Sequence, residues 1–122
     1  MLKSGVDMLA IHRLVIMKQE NPAIYQRFIR RVFTQNEIIE GKDRCSYFAG
    51  RFAAKEAASK ALQCGISTIG WQSVEILHGH QGEPVLHFHG KAALLVAKNQ
   101  LSEWNVSISH TDELAIAFVI MQ

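Results

Sequence analysis

The stretch Gly50-Arg51-Phe52-Ala53-Ala54-Lys55-Glu56-Ala57-Ala58-Ser59-Lys60-Ala61 decides how this 122-residue chain is read. Ala has the highest helix propensity and no rotamers to freeze, so the stretch predicts a tightly packed helix. We read that helix from Ser46 to Gln63, with Gly65 as its stop. An acid, Glu56, and two bases, Lys55 and Lys60, interrupt its small apolar character, and charges in such a helix need a reason. Asp7, within Gly5-Val6-Asp7, and His110, within Ser107-Ile108-Ser109-His110-Thr111, are out of place in the same way. Together the three segments suggest a phosphate-handling, metal-dependent site.

Upstream, an apolar stretch around Asp7 leads into Ile11, Leu14, Val15, Ile16 and Met17, read as a turn or short helix. Asn21-Pro22 is a helix start, with Asn as the cap and Pro at the first position. Ile24, Tyr25, Phe28, Ile29 and Val32 then recur at helical spacing, leaving Arg27, Arg30 and Arg31 off the stripe. Thr34-Gln35-Asn36-Glu37 matches a capping box and predicts a short helix ending near Gly41. Downstream the pattern turns to strands. Val74–His78 and Val85–His89 flank a hairpin turn at Gln81-Gly82-Glu83-Pro84. A second amphipathic helix covers Ala92 to Leu101. Two further strands, Asn105 to His110 and Leu114 to Met121, are joined by Thr111-Asp112-Glu113. The order predicts one α+β domain over 1–122, a small antiparallel sheet with one long and several short helices.

Composition narrows the class. Hydrophobic residues make up 48% of the chain and charged residues 20%, as in an ordinary soluble protein. No apolar run approaches a membrane span, and the first residues lack the order of a secretory signal, so a cytoplasmic protein is expected. Cys45 and Cys64 form no Cys-x-x-Cys motif and read as free thiols. The net charge of +2 hides an asymmetry: residues 1–61 carry +5 and residues 62–122 carry −3. Two solvated faces would explain this, as would an anionic partner for the first half. No basic stripe with interleaved aromatics points to nucleic acid.

From Phe48 to Ala61, and at Gly5-Val6-Asp7 and Ser109-His110-Thr111, the chain resembles the holo-acyl-carrier-protein synthase family. These are the short, trimeric 4′-phosphopantetheinyl transferases, and the resemblance runs nearly end to end. It implies the 4′-phosphopantetheinyl transferase fold and a definite reaction. The serine of an apo acyl carrier protein attacks the β-phosphate of coenzyme A, and 3′,5′-ADP leaves. It also implies Mg2+ held by Asp7 and Glu56, with Lys60 one turn further on, facing the same phosphates. Arg51 is implied at the 3′-phosphate region. Gly65, Gly82, Pro84, Ser109, His110 and Thr111 are implied around the coenzyme. Arg13 is implied to meet the acidic carrier; Arg27, with Arg30 and Arg31, would extend that patch, and plain solvation explains those three equally well. Glu56, directly or through a metal-bound water, is the expected general base. A homotrimer with coenzyme bound between subunits is implied as well.

Without the motif, Glu56 and Lys60 read first as an i,i+4 surface pair worth about 0.2–0.5 kcal/mol; the motif is what turns them into metal-site residues. For His110 a hydrogen-bonded structural histidine is the rival reading, and the resemblance favours the coenzyme site. Three features depart from the family pattern: Gln63-Cys64 replaces Gly-Thr, Ala10 stands where Glu is frequent, and Glu83 stands where Lys or Arg is usual. They raise the alternative of a catalytically weakened homologue that binds carrier protein without efficient transfer. A second alternative comes from His78, His80, His87 and His89, which would converge on zinc or copper if the hairpin set His78 opposite His87. The plain reading is a polar strand face.

Overall fold

A computed structural model describes all of residues 1–122. The segment around Asp7 is a strand, β1 (Lys3–Ala10), followed by α1 (Ile11–Glu20), α2 (Pro22–Val32) and α3 (Gln35–Gly41). The long helix α4 (Cys45–Ala61) leads to a one-turn α5 (Ile66–Ile69) and a 3-10 turn at Trp71–Ser73. The hairpin strands β2 (Val74–His78) and β3 (Pro84–Phe88), α6 (Gly90–Lys98), β4 (Trp104–His110) and β5 (Leu114–Met121) complete the chain. The strands form two antiparallel sheets, one of order β1-β5-β4 and the other β2-β3.

The helix starts differ in how they are secured. Thr34 and Glu37 form the predicted reciprocal capping box. Asn21 precedes α2, but its side chain makes no cap bond, so Pro22 alone fixes that entry. The long helix ends two residues earlier than expected. Leu62 is its C-cap, and Gln63 takes the left-handed turn at φ 58°, while Gly65 has an ordinary φ of −78°. Gly65 is therefore not the residue that stops α4.

The helix α4 is the axis of the molecule. Its buried Ala53, Ala54, Ala57, Ala58 and Ala61 join one apolar cluster with β2, α6 and the inner faces of β4 and β5. Tyr47, Phe48 and Ala49, near its start, join a second cluster with α1 and α2. Small side chains let β1 approach closely. A Cβ at Gly5 would land on the Ala57 carbonyl oxygen and the Ala61 amide. Asp7 lies two residues on along the same strand face, so Gly5 brings that carboxylate against the helix.

One charge in α4 serves the core. Lys55 is fully buried and pairs with fully buried Glu37 at 2.8 Å. Its ammonium also donates to the carbonyls of Trp71 (3.0 Å) and Val74. Glu37 in turn accepts from the Ile76 amide at 2.9 Å. The capping box, α4 and β2 are thereby locked together. Burial pushes the Lys55 amine below its ordinary value, and the Glu37 charge opposes that.

The late strands expose half of their apolar residues. In β5, Ala115, Ala117, Val119 and Met121 are buried against the helix layer. Ile116 and Phe118 point outward, opposite Met8 and Val6 of β1. These four side chains are 38–58% exposed and form one apolar face on the outer side of the sheet.

Candidate functional site

The face of α4 toward β1 carries Glu56 and Lys60 one turn apart. Lys60 Nζ lies 3.1 Å from Asp7 Oδ1 and 3.0 Å from the Val6 carbonyl oxygen. Two of its three donors are thus engaged and one remains for solvent or ligand. Glu56 has no side-chain hydrogen bond in the structure. Its carboxyl is pushed up, first by burial and then by the Asp7 charge, with Lys60 opposing. Such a carboxylate is a stronger base than an exposed Glu.

Asp7 and Glu56 form a pair of hard oxygen donors joined by no third acid, histidine or cysteine. This donor set fits magnesium, which takes one or two carboxylates and completes its octahedron with phosphate oxygens and water. It fits zinc poorly, since zinc sites are built from nitrogen and sulfur.

Arg51 belongs to a different face. Five residues separate it from Glu56, about 140° around the helix and about 7.5 Å along it. It lines a cleft of about 130 Å³ with Arg44, Ser46, Tyr47, Gly50, His78, Ile108 and His110. The guanidinium stacks 4.1 Å from the Tyr47 ring centroid. Its buried Nε and Nη2 have no hydrogen-bond partner. Buried donors left unpaired are costly, so this geometry favours an incoming anion. The cleft is far smaller than the roughly 300–1,000 Å³ of a cofactor pocket, and suits one phosphate rather than a nucleotide.

The remaining predicted residues are dispersed. His110 ends β4 and faces the Arg51 cleft, whereas Ser109 lies across from Ile116 on the outer sheet face. Thr111 closes the following turn, its hydroxyl accepting from the Glu113 and Leu114 amides. Gly82 sits in the hairpin turn at φ 81°, where a side chain would be strained, and Pro84 opens β3. Gly65 is exposed after α4. Arg13 and Arg27 are exposed on α1 and α2, and Arg27 borders a groove of about 460 Å³ with Met17, Ile24, Phe28 and Arg31.

Residues 4–119 match the 4′-phosphopantetheinyl transferase superfamily. The chain belongs to that superfamily. A holo-acyl-carrier-protein synthase of Herpetosiphon aurantiacus is 39% identical over 98% of both chains. One from Alkaliphilus metalliredigens is 37% identical, covering 95% of this chain and 94% of its own. The crystal structure of the Helicobacter pylori synthase in complex with coenzyme A superposes with a TM-score of 0.85. It is 29% identical to this transferase and covers 98% of this chain and 99% of its own. The Neisseria meningitidis synthase gives 0.86 at 26% identity, covering 98% and 97%.

With the family in place, two departures in this transferase acquire a structural explanation. The Glu83 carboxylate folds back to accept from the Gln81 amide at 2.9 Å, so it is directed into its own turn. Gln63 accommodates the left-handed turn despite having a side chain. The proposed histidine cluster is not formed. The turn closes through Gly79 N–H donating to the Glu83 carbonyl, which pairs His78 with Pro84 and His87 with Glu75. His78 turns toward Glu40 and His89 toward Glu75, and four rings do not converge.

Sequence reasoning missed Glu40 and Tyr47. The Tyr47 hydroxyl donates to Glu40 Oε2 at 2.6 Å, and the His78 amide donates to Glu40 Oε1 at 2.9 Å. Burial works against ionisation of Glu40. The bonds from Tyr47 and His78, with the charges of His78 and Arg51, outweigh it and hold the carboxyl below the ordinary range. Glu40 lies on α3 while its partners lie on α4 and β2, so periodicity carried no signal of the cluster.

Proposed function

We propose that this protein transfers the 4′-phosphopantetheine group of coenzyme A to a serine of apo acyl carrier protein, releasing 3′,5′-ADP. The observation that carries the reading is the meeting of Asp7, Glu56 and Lys60 in a chain of this family. Asp7 and Glu56 would hold magnesium, which when bound neutralises the pyrophosphate charge that repels an incoming nucleophile.

The chain's own residues supply the rest. Lys60, anchored by Asp7 and the Val6 carbonyl, offers its free N–H to a phosphate oxygen. Glu56 accepts the serine proton directly or through water. The serine oxygen then attacks the β-phosphorus, the bond from that phosphorus to the bridging oxygen breaks, and 3′,5′-ADP departs with the bridging electrons. Arg51, with Arg44 and His110 around it, receives the 3′-phosphate in the small cleft.

The two binding features lie on different sides of α4, which supports a coenzyme spanning two subunits. The outward face of Val6, Met8, Ile116 and Phe118 supports a homotrimer as the assembly that joins them. The acidic carrier is proposed to dock on Arg13 of α1 and the basic groove of Arg27, with Met17 and Phe28 as its apolar floor. No helix is long and apolar enough to cross a membrane, and we place the reaction in the cytoplasm with its substrates.

The test is the intact mass of apo carrier protein incubated with coenzyme A, magnesium and this protein. The expected gain is one phosphopantetheine, abolished by chelator and by Glu56→Gln. A folded protein that binds carrier but adds no mass would overturn the transferase reading in favour of a binding-only homologue.

A further inference from the structure

Glu40 has no part in the chemistry described above, yet its carboxylate is a junction of three elements. One oxygen takes the Tyr47 hydroxyl of α4, and the other takes the His78 amide at the end of β2. The His78 ring Nδ1 lies 3.5 Å from Oε1, and Arg51 Nη2 lies 3.6 Å from Oε2. Tyr47, so held, forms the surface on which the Arg51 guanidinium stacks. At 3.6 Å the contact from Arg51 to Glu40 is charge attraction without a hydrogen bond. Glu40 therefore fixes the guanidinium while leaving Nε and Nη2 unspent.

We propose that Glu40 is a positioning residue that sets Arg51, through Tyr47, to receive the 3′-phosphate of coenzyme A. The inference rests on the reading of the Arg51 cleft as the 3′-phosphate site. Two effects oppose each other here. A carboxylate near the phosphate repels it, but this one already receives two hydrogen bonds, of 2.6 and 2.9 Å, and a guanidinium charge. Ordering the side chains before binding spares that cost in the complex. For two side chains this corresponds to about tenfold in affinity, and it outweighs a repulsion that is already neutralised.

The experiment measures dissociation constants for coenzyme A and for 3′-dephospho-coenzyme A, by calorimetry, for the unmodified protein, Glu40→Gln and Tyr47→Phe. The unmodified protein should prefer coenzyme A. Glu40→Gln should weaken coenzyme A by about tenfold and leave the dephospho ligand within about twofold, so that the preference collapses. Tyr47→Phe, which removes one hydroxyl from a buried ring, should weaken binding with the same selectivity. Undiminished coenzyme A binding in Glu40→Gln, or equal loss of both ligands, would overturn the positioning role. Absence of any preference in the unmodified protein would instead remove the 3′-phosphate assignment, and the inference with it.

Discussion

Lys55 and Glu37 lie 2.8 Å apart with both side chains fully excluded from solvent, five residues before an exposed Lys60 on the same helix. The two lysines have separable roles. Removing one partner of a buried ion pair leaves the other charge stranded, at a cost of about 3–5 kcal/mol. Lys55→Met should lose about that much stability in urea denaturation. Lys60→Met should change stability by less than about 1 kcal/mol while abolishing transfer. Equal stability losses in the two variants would show that the division is wrong.

Glu56 should titrate above its ordinary value of 4.5 in metal-free protein, by NMR. Asp7→Asn removes one cause of the rise and should lower the titration point, whereas Lys60→Met should raise it. An acid whose folded-state pKa is raised contributes full stability below its unfolded pKa, and that stability is lost as pH rises through the folded value. Glu56→Gln should therefore melt higher than the parent at neutral pH, though inactive. A lower melting temperature would count against the raised pKa.

Gly5→Ala places a methyl against backbone atoms of Ala57 and Ala61, which cannot move aside as a side chain tip could. The separation of β1 from α4 must grow, at about 1–3 kcal/mol or more. Because Asp7 shares that strand face, magnesium affinity should fall as well. A variant with the parent's melting temperature and metal affinity would refute the close-packing argument.

The proposed docking of carrier on the basic groove should be sensitive to salt. Rim charges govern association more than affinity, so raising ionic strength should raise the KM for carrier and leave kcat nearly unchanged. Arg27→Glu should produce a larger rise at low salt and a smaller one at high salt. A carrier KM independent of salt would place docking elsewhere.

Much of the architecture was legible because its determinants are local. Thr34 and Glu37 announce a helix start within four residues, and the Ala-rich run announces α4. The first strand was not legible, because Gly5 and Asp7 interrupt its apolar alternation and its pairing partner, β5, lies more than a hundred residues away. Lys55 looked like a site residue for a related reason. Its partner stands 18 residues upstream on another helix, and nothing at i±4 reveals that the pair is core. Glu83 looked like a liability because charge can be read from sequence and direction cannot.

The two-sidedness of α4 has a genetic consequence. If coenzyme lies between subunits, a lesion at Arg51 and a lesion at Glu56 disable different halves of each site. Mixed assemblies of the two inactive alleles would then contain some clefts in which an intact Glu56 faces an intact neighbouring Arg51. Co-expression should restore activity that neither allele has alone, and two lesions on the Glu56 side, at Asp7 and Glu56, should never complement each other.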